Sequence, residues 1–273
     1  MVGQLLLRGM IAGILAALLA FGFAKVYGEP SVDRAIAFEA TLDGGHVHAD
    51  AGAADGASSD GISGTDMSKA DAVGPEIFSR VTQSGLGLFT GLLIYGTAFG
   101  GLFALVFAFA YGRMGALGPR GTAAVLAVLG FIAVILVPGL KYPASPPSVG
   151  DAATIVLRTQ VYFGMIVLSI AGMTGAVWLA RRLWARFGGW NASIIAGAAL
   201  LVGLGLVTSA MPQINEVPAG FPAVVLWQFR IAAWGIQAVL WAGIGLGFGA
   251  MAERYLDARG REGVAGHMTT GRV

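Results

Sequence analysis

The sequence predicts an all-α polytopic membrane protein with six transmembrane helices in three hairpins and both termini in the cytoplasm. The first observation is composition: 56% of the 273 residues are hydrophobic and only 12% are charged. The second is a set of six long apolar segments, each able to supply the roughly 20 apolar residues that cross about 30 Å of hydrocarbon. Lipid offers no hydrogen bonds to the backbone, so these segments must be helical. They are Leu5–Val26, Gly85–Tyr111, Gly121–Leu140, Thr159–Ala180, Ala192–Met211 and Ile231–Ala252.

The basic residues orient these helices. More than half of the 17 lysines and arginines fall in connections that lie inside if residue 1 is cytoplasmic. Most of the others fall in one long outer loop, where the positive-inside rule counts least. We therefore expect a multi-pass protein of the bacterial cytoplasmic (inner) membrane. A net charge of +2 is too small to indicate a nucleic-acid partner.

The first segment also has some features of a secretory signal peptide, because Arg8 precedes its apolar run. However, Lys25, Tyr27 and Glu29 follow, and no convincing small-x-small cleavage site stands before them. We favour an uncleaved helix. Cleavage would leave five spans with the C-terminus on the same side.

The organisation along the chain is predicted to be simple. Residues 1–258 form one transmembrane helical domain, and residues 259–273 form a flexible cytoplasmic tail. Within the domain, residues 43–75 consist mainly of Gly, Ala, Ser and Asp and cannot bury a core, which predicts a disordered outer loop. The better patterned stretch Glu29–Leu42 predicts a short interfacial helix.

The other two outer loops are short and rich in proline, which fixes φ and makes them stiff. VPGLKYPASPPSVGD in one resembles MPQINEVPAGFP in the other, and an arginine opens the following span each time (Arg158 and Arg230). Three related helical hairpins would explain this pattern, as internal repeats do in many transporters. Any proline-punctuated hairpin would look similar.

Five glycine pairs have GxxxG spacing, which lets two helices approach backbone to backbone in lipid. We favour packing within one subunit over a pore lining or a contact between subunits. A contact between subunits would make a homo-oligomer possible. The pairs are Gly9/Gly13, Gly87/Gly91, Gly96/Gly100, Gly243/Gly247 and Gly245/Gly249.

Ionisable residues are missing from the deep parts of the six predicted spans and gather instead at the outer rim. A proton relay through buried carboxylates is therefore not supported. We interpret the rim as a polar vestibule in which four carboxylates offer oxygen ligands to a cation: Glu29, Asp33, Asp151 and Glu216. The alternative is that they are interfacial anchors in salt bridges, each worth little when exposed. Further polar residues are candidates for the pathway or for structure: Lys141, Tyr142, Arg158, Asn215, Arg230 and Gln237.

A second candidate site lies in the long outer loop, where His46 and His48 stand between Asp43 and Asp50. In an extended segment, residues two apart face the same way. Two imidazoles and two carboxylates could then hold a divalent ion such as Co²⁺, Ni²⁺ or Zn²⁺. A random solvated loop explains the same residues.

Several chemistries are excluded. The chain has no cysteine, which rules out disulfides, thiolate metal sites and thiol catalysis. The P-loop GxxxxGK[ST], HExxH and GxSxG motifs do not occur. We therefore expect neither an enzyme nor a permanently bound cofactor.

Four stretches of the sequence resemble the CbtA family of proposed cobalt transporter subunits. They are LLRGMIAGILAALLAFGFAKVYGEPSVDRAIAFE, GLGLFTGLLIYGTAFGGLFALVFAFAYGR, KYPASPPSVGD and INEVPAGFP. The resemblance implies an integral membrane protein of about five spans, Co²⁺ as substrate and a link to cobalamin synthesis. It also implies a partner, the small single-span and histidine-rich CbtB.

The sequence and the resemblance together predict a cobalt permease subunit. In this hypothesis His46 and His48, or the partner's histidines, concentrate Co²⁺ outside, the rim carboxylates receive it, and a glycine-lined seam passes it inward. The driving force would be the membrane potential, an ion gradient or another subunit. The alternative is a non-transporting membrane scaffold or assembly subunit that docks a partner through its GxxxG faces.

Overall fold

A computed structural model describes residues 2–51, 79–147 and 149–270, and the regular elements within these ranges are all helical. The all-α class is therefore confirmed. Three five-residue π turns join α1 to α2, α3 to α4 and α5 to α6. In chain order the helices are α1 (Val2–Phe23), α2 (Glu29–Ala51), α3 (Arg80–Thr82), α4 (Leu88–Ala110), α5 (Pro119–Phe131), α6 (Val137–Lys141), α7 (Ile155–Ala210) and α8 (Ala223–Thr270).

Within the described residues, five helical stretches are long and apolar enough to cross a membrane, judged by length and composition. To within one residue they contain all six predicted segments. The fourth stretch includes two of them, Thr159–Ala180 and Ala192–Met211. The stretches are Val2–Thr41, Arg80–Ala110, Pro119–Lys141, Ala152–Ala210 and Ala223–Arg261.

The long helix α7 is folded back on itself at Gly188. A straight helix of 56 residues would be roughly 84 Å long. Gly188 has φ 74° and ψ 163°, a conformation open essentially only to glycine, and it breaks the helical path. A Cβ placed on Gly172 would lie 3.1 Å from Leu200 Cδ1, although a straight helix would hold these residues roughly 42 Å apart. The two halves of α7 are therefore antiparallel neighbours.

Two helices extend past boundaries that the sequence analysis drew. Helix α2 runs to Ala51, so residues 43–51 of the predicted disordered loop have a helical backbone, and residues 52–75 lie outside the described residues. The predicted interfacial helix is also longer than expected. Helix α8 runs to Thr270 through most of the predicted tail. Neither extension contains a proline, so the backbone hydrogen bonds of the helix continue without a packed core.

Helices α1 and α2 form one continuous rod, and its hydrogen-bonding pattern changes from α to π just before a proline. Pro30 is the second residue of α2, and it has no N–H to donate back to the preceding turn. The π turn Ala24–Gly28 lies immediately before it. Such single-turn insertions let a helix continue across a missing hydrogen bond. The rod is longer than the bilayer core, so its α2 end projects beyond it.

Glycine controls the closest helix contact, which joins α1 to α4. A Cβ on Gly13 would overlap the Gly96 carbonyl oxygen, and one on Gly9 would overlap that of Gly100. Packing within one subunit is thereby confirmed for these two GxxxG pairs. The contact leaves no room for a side chain or an ion between the four glycines, so this part of the predicted glycine-lined seam is closed.

Helix α8 is the centre of the bundle and packs against α1 and α5. A Cβ on Gly243 would lie 2.7 Å from Ala16 Cβ of α1, and one on Gly249 would lie 3.1 Å from Ala123 Cβ of α5. The two GxxxG pairs of α8 therefore also pack within the subunit. Gly91 of the fifth pair, with nothing within 4 Å of its Cβ position, does not.

Polar contacts distinguish the two ends of the bundle, which we label by the sides that the sequence predicts for them. At one end Arg120 pairs with Glu253 at 2.5 Å, and the Arg8 guanidinium lies 4.2 Å from the Tyr255 ring centroid. We call this the inner end. The opposite end, which carries Glu29, Arg80, Asp151 and Glu216, is called the outer end.

We expect Gly96→Val to destabilise the protein, because its Cβ would lie 2.6 Å from the Gly13 carbonyl oxygen and 2.8 Å from Ala17 Cβ. Overpacking of this kind costs about 1–3 kcal/mol. The measurement is the thermal unfolding midpoint of the purified protein in detergent. Gly91→Val, on the same helix but in open space, is the matched control. Equal midpoints for the two variants would contradict a packed α1–α4 contact.

Candidate functional site

The predicted rim carboxylates form two separate ion-pair clusters at the outer end. In the first, Arg80 donates to Glu29 Oε2 at 2.6 Å and to Asp33 Oδ1 at 3.0 Å. The Glu29 side chain is only 15% exposed, whereas Asp33 is 63% exposed, so the Glu29 contact is the stronger one. The sequence did not predict Arg80 as the partner of both.

The second cluster surrounds Glu216, whose two oxygens are both occupied. The Thr154 hydroxyl donates to Oε1 at 2.6 Å, and the Asp151 backbone N–H donates to Oε2 at 2.8 Å. Arg158 Nη1 lies 3.5 Å from Oε2. These donors lower the pKa of Glu216: the Thr154 hydrogen bond contributes most, then the Asp151 amide, with Arg158 adding a smaller attraction. Glu216 is therefore an ionised and fully bonded carboxylate.

The Asp151 carboxylate has a local role. Its Oδ1 accepts the Ala153 backbone N–H at 2.9 Å, which caps the 3-10 turn Ala152–Thr154 that leads into α7. The neighbouring Asn215 is exposed on the cavity wall. Asp151 and Glu216 were predicted to share a vestibule. They do meet, but the contact joins the backbone N–H of Asp151 to the side chain of Glu216.

An apolar cluster joins all three outer loops. Ala35 of α2, Val149 of the second outer loop and Phe221 of the third are buried together. Phe38 packs edge-on against Phe221 with ring centroids 5.0 Å apart. The Tyr142 hydroxyl also donates to the Pro212 carbonyl at 2.9 Å, across the two proline-rich loops. The convergence of the outer loops that the sequence suggested is therefore present among the described residues.

A cavity of about 540 Å³ lies beneath these loops, between α6, α7 and α8. We call it the outer cavity. Its charged lining consists of Arg158, Arg230 and Glu216, and aromatic rings of Tyr162 and Trp234 form much of its wall. Six of the predicted site residues line it: Tyr142, Arg158, Asn215, Glu216, Arg230 and Gln237. Lys141 does not line it and instead lies 5.9 Å from the Tyr142 ring centroid.

Glycine at position 150 fixes Arg158 in this cavity. Gly150 has φ 124°, and a Cβ there would overlap the Arg158 guanidinium. The guanidinium consequently packs on the loop backbone, and its Nη2 donates to the Asp151 carbonyl at 3.2 Å. The Arg158 Nε is buried without a hydrogen-bond partner in the described part of the chain. The VGD motif thus positions a guanidinium as well as a carboxylate.

Gln237 lies deeper, on the α8 side of the cavity. Its side-chain Oε1 is buried without a hydrogen-bond partner among the described residues. One helical turn away, Trp234 packs over Gly139, where a Cβ would lie 2.7 Å from the indole Nε1. The sequence pointed to Gln237 as a polar residue inside a span, but it did not point to Trp234 or Tyr162. An aromatic residue in an apolar span is common and does not by itself indicate a cavity wall.

The histidine site does not have the predicted backbone. His46 and His48 lie in α2, and positions two apart on a helix do not share a face. The extended arrangement proposed for Asp43, His46, His48 and Asp50 is therefore wrong. Among the described residues, no group of three or more His, Cys, Asp or Glu side chains is placed to hold a metal ion.

These features define a polytopic helical membrane protein with a charged cavity at one end of its bundle. Residues 2–253 match the model of the CbtA family, described as a probable cobalt transporter subunit, and the chain belongs to this family. The family description names a transporter subunit and not an enzyme. No curated protein and no solved structure matches the chain at a significant level.

We expect the Glu216 carboxylate to stabilise the outer loops in a pH-dependent way. Its pKa in the folded protein is below 4.5, so this stabilisation is present above about pH 4.5 and is lost as the pH falls further. The difference in unfolding midpoint between the unaltered protein and Glu216→Gln should therefore shrink below pH 4.5. In a Thr154→Val background, which lacks the strongest donor, the folded-state pKa lies closer to 4.5, so the shrinkage should be smaller and should be complete at a higher pH. An identical profile in both backgrounds would contradict the assigned hydrogen bond.

Proposed function

We propose that this chain is the membrane-spanning subunit of a Co²⁺ uptake system in the bacterial cytoplasmic membrane, supplying cobalt for cobalamin synthesis. The outer cavity is the entry site. The observation that supports this best is the convergence of three outer loops over one cavity with Glu216 fixed in its wall. The family description supports the substrate, and the polarity of the bundle ends supports the direction.

The proposed topology has six spans in three hairpins with both termini inside. The fold-back of α7 at Gly188 supports it, because each half of α7 is long enough to cross the hydrocarbon core by itself. Arg181 and Arg186 then lie near the inner turn of this hairpin. The Arg181 guanidinium contacts the Arg113 carbonyl, in the connection between α4 and α5, as a shared inner side requires.

At the entry site, the metal would exchange places with arginine. Glu29 and Asp33 share Arg80, and Glu216 is paired with Arg158. A divalent cation that binds these carboxylates displaces the guanidinium, since one carboxylate cannot serve both fully. His46 and His48, or the histidines of a single-span partner, capture the metal beforehand. Asp151 and Asn215 supply further oxygen donors at the mouth.

The passage inward would run beside Gln237 and Trp234 rather than along the α1–α4 contact, which is closed. Trp234 over Gly139 blocks this route at rest, so passage requires the indole to move. The membrane potential supplies about 2.3 kcal/mol per charge per 100 mV, and a divalent cation doubles that. A potential-driven route therefore needs no nucleotide site on this chain.

A second candidate function is a scaffold that docks partners without transport. The surface of the Ala152–Ala210 stretch favours it. Only 11% of the most apolar part of this stretch is buried. A lipid-facing helical hairpin of this size offers a partner helix or a second copy of the chain a large contact area. The same surface would serve the histidine-rich subunit of a transporter.

We expect single cysteines to be labelled from the side that the six-span topology assigns. The chain has no native cysteine, so no background removal is needed. Ala153→Cys and Ala219→Cys, both at exposed positions, should react with an impermeant maleimide added outside intact cells. Asn191→Cys should react only after the cells are permeabilised. Outside labelling of Asn191→Cys would remove the six-span proposal.

We expect cells that express this chain with a histidine-rich partner to accumulate radioactive cobalt, and Glu216→Gln to reduce the rate by about tenfold or more, since a lost charged ligand costs at least 1.4 kcal/mol. Glu39→Gln, an exposed carboxylate on α2, is the matched control. Depolarising the membrane should abolish accumulation. No uptake by correctly inserted protein, with or without the partner, would support the scaffold instead.

A further inference from the structure

The outer cavity has a net positive charge, whereas a site for a bare cation needs a negative one. Glu216 is its only carboxylate, and Arg158 lies 3.5 Å away, so these two charges cancel. Arg230 remains, with no carboxylate within 4.0 Å of its guanidinium among the described residues. The lining therefore has one uncompensated positive charge, which repels a bare divalent cation and attracts an anion.

The Arg230 guanidinium is also held in a position from which it can bind an anion in the cavity. Its Nε donates to the Ala144 carbonyl at 3.4 Å, which anchors the stem of the guanidinium on the proline-rich loop. The two terminal nitrogens accept no hydrogen bond and are donors only, and the side chain lines the cavity. Neither terminal nitrogen has a hydrogen-bond partner within residues 2–51, 79–147 and 149–270. A guanidinium with two parallel donors matches a carboxylate, which it can bind with two hydrogen bonds.

The size and wall of the cavity fit an organic molecule better than an ion. Its volume of about 540 Å³ lies within the roughly 300–1,000 Å³ typical of small-molecule pockets. The walls are largely apolar and aromatic, with Tyr162 and Trp234 among them. A hydrated metal ion alone would gain little from such a wall.

We propose that the outer cavity binds cobalt as a complex with a small polycarboxylate, and that Arg230 binds a carboxylate of that complex. This inference rests on the proposed function and names the chemical form of the cargo. The metal lies towards Glu216, and the negative organic part lies towards Arg230. The positive cavity then attracts the negatively charged complex, whereas it would repel the bare Co²⁺ ion.

The complex is delivered here but does not cross intact. A membrane potential that is negative inside opposes the inward movement of an anion by the same energy with which it favours a cation of equal charge. The polycarboxylate therefore stays at the outer end when the metal moves on. Arg230 binds the part that is left behind.

The test measures binding to the purified full chain in lipid nanodiscs of two probes: radiolabelled citrate, with and without equimolar Co²⁺, and radioactive Co²⁺ without citrate. We expect Co²⁺–citrate to bind saturably and more tightly than Co²⁺ alone. Arg230→Gln should weaken Co²⁺–citrate binding by about tenfold or more. Arg230→Lys, which retains the charge but not the two parallel donors, should fall between. Arg34→Gln, an outer arginine that is exposed and bonded to the Pro30 carbonyl, is the matched control.

Three outcomes would overturn the inference. They are tighter binding of Co²⁺ alone than of Co²⁺–citrate, unchanged binding in Arg230→Gln, and equal competition by inorganic phosphate, which would show an unselective anion site. If Arg230→Gln does not fold, competition by tricarballylate and phosphate in the unaltered chain decides between these results. Cellular uptake of cobalt without citrate binding would remove only this inference, whereas citrate binding without uptake would remove the proposed function.

Discussion

The contact between the backbones of α1 and α4 sets the position of the first outer ion pair. Once lipid removes the hydrophobic force between helices, close packing must hold them together, and only glycine permits this approach. Gly13 meets Gly96, and from there Glu29 and Arg80 each lie 16 positions towards the outer end, from 13 to 29 and from 96 to 80. The antiparallel register therefore brings Arg80 to Glu29. The π turns Ala24–Gly28 and Gln83–Gly87 lie at nearly the same level, so neither helix shifts against the other.

The same principle places Arg230 at the outer cavity. Ala127 of α5 packs on Gly245 of α8. Fifteen positions outward along the chain lie Tyr142, just after the end of α6, and Arg230 of α8. Between these levels the small residues Gly130 and Gly139 admit Trp241 and Trp234. A bulky side chain at either glycine would push α5 or α6 away from α8. The cavity charges thus follow from helix register and not from the loops alone.

The sequence predicted the apolar spans, the meeting of the outer loops and six of the residues that line the cavity, because apolar length and charge position are local properties. It did not predict that Glu216 is fully bonded, since its partners Thr154 and Asp151 are more than 60 residues away and come from a turn that glycine and proline shape. It also predicted disorder for residues 43–51 from a composition that cannot form a core. A helix without a proline needs no core to continue by one or two turns, and α2 does so.

Two outer arginines, Arg80 and Arg158, have the same arrangement: each pairs with a carboxylate through its terminal nitrogens and buries an Nε that has no partner among the described residues. An unpaired buried donor costs free energy, so neither pair is at its most stable geometry. Such a pair exchanges its partner more easily than one in which every donor is satisfied. A metal or carboxylate ligand that reaches the outer end would therefore replace a contact that is already incomplete, and the cost of opening the site is correspondingly lower.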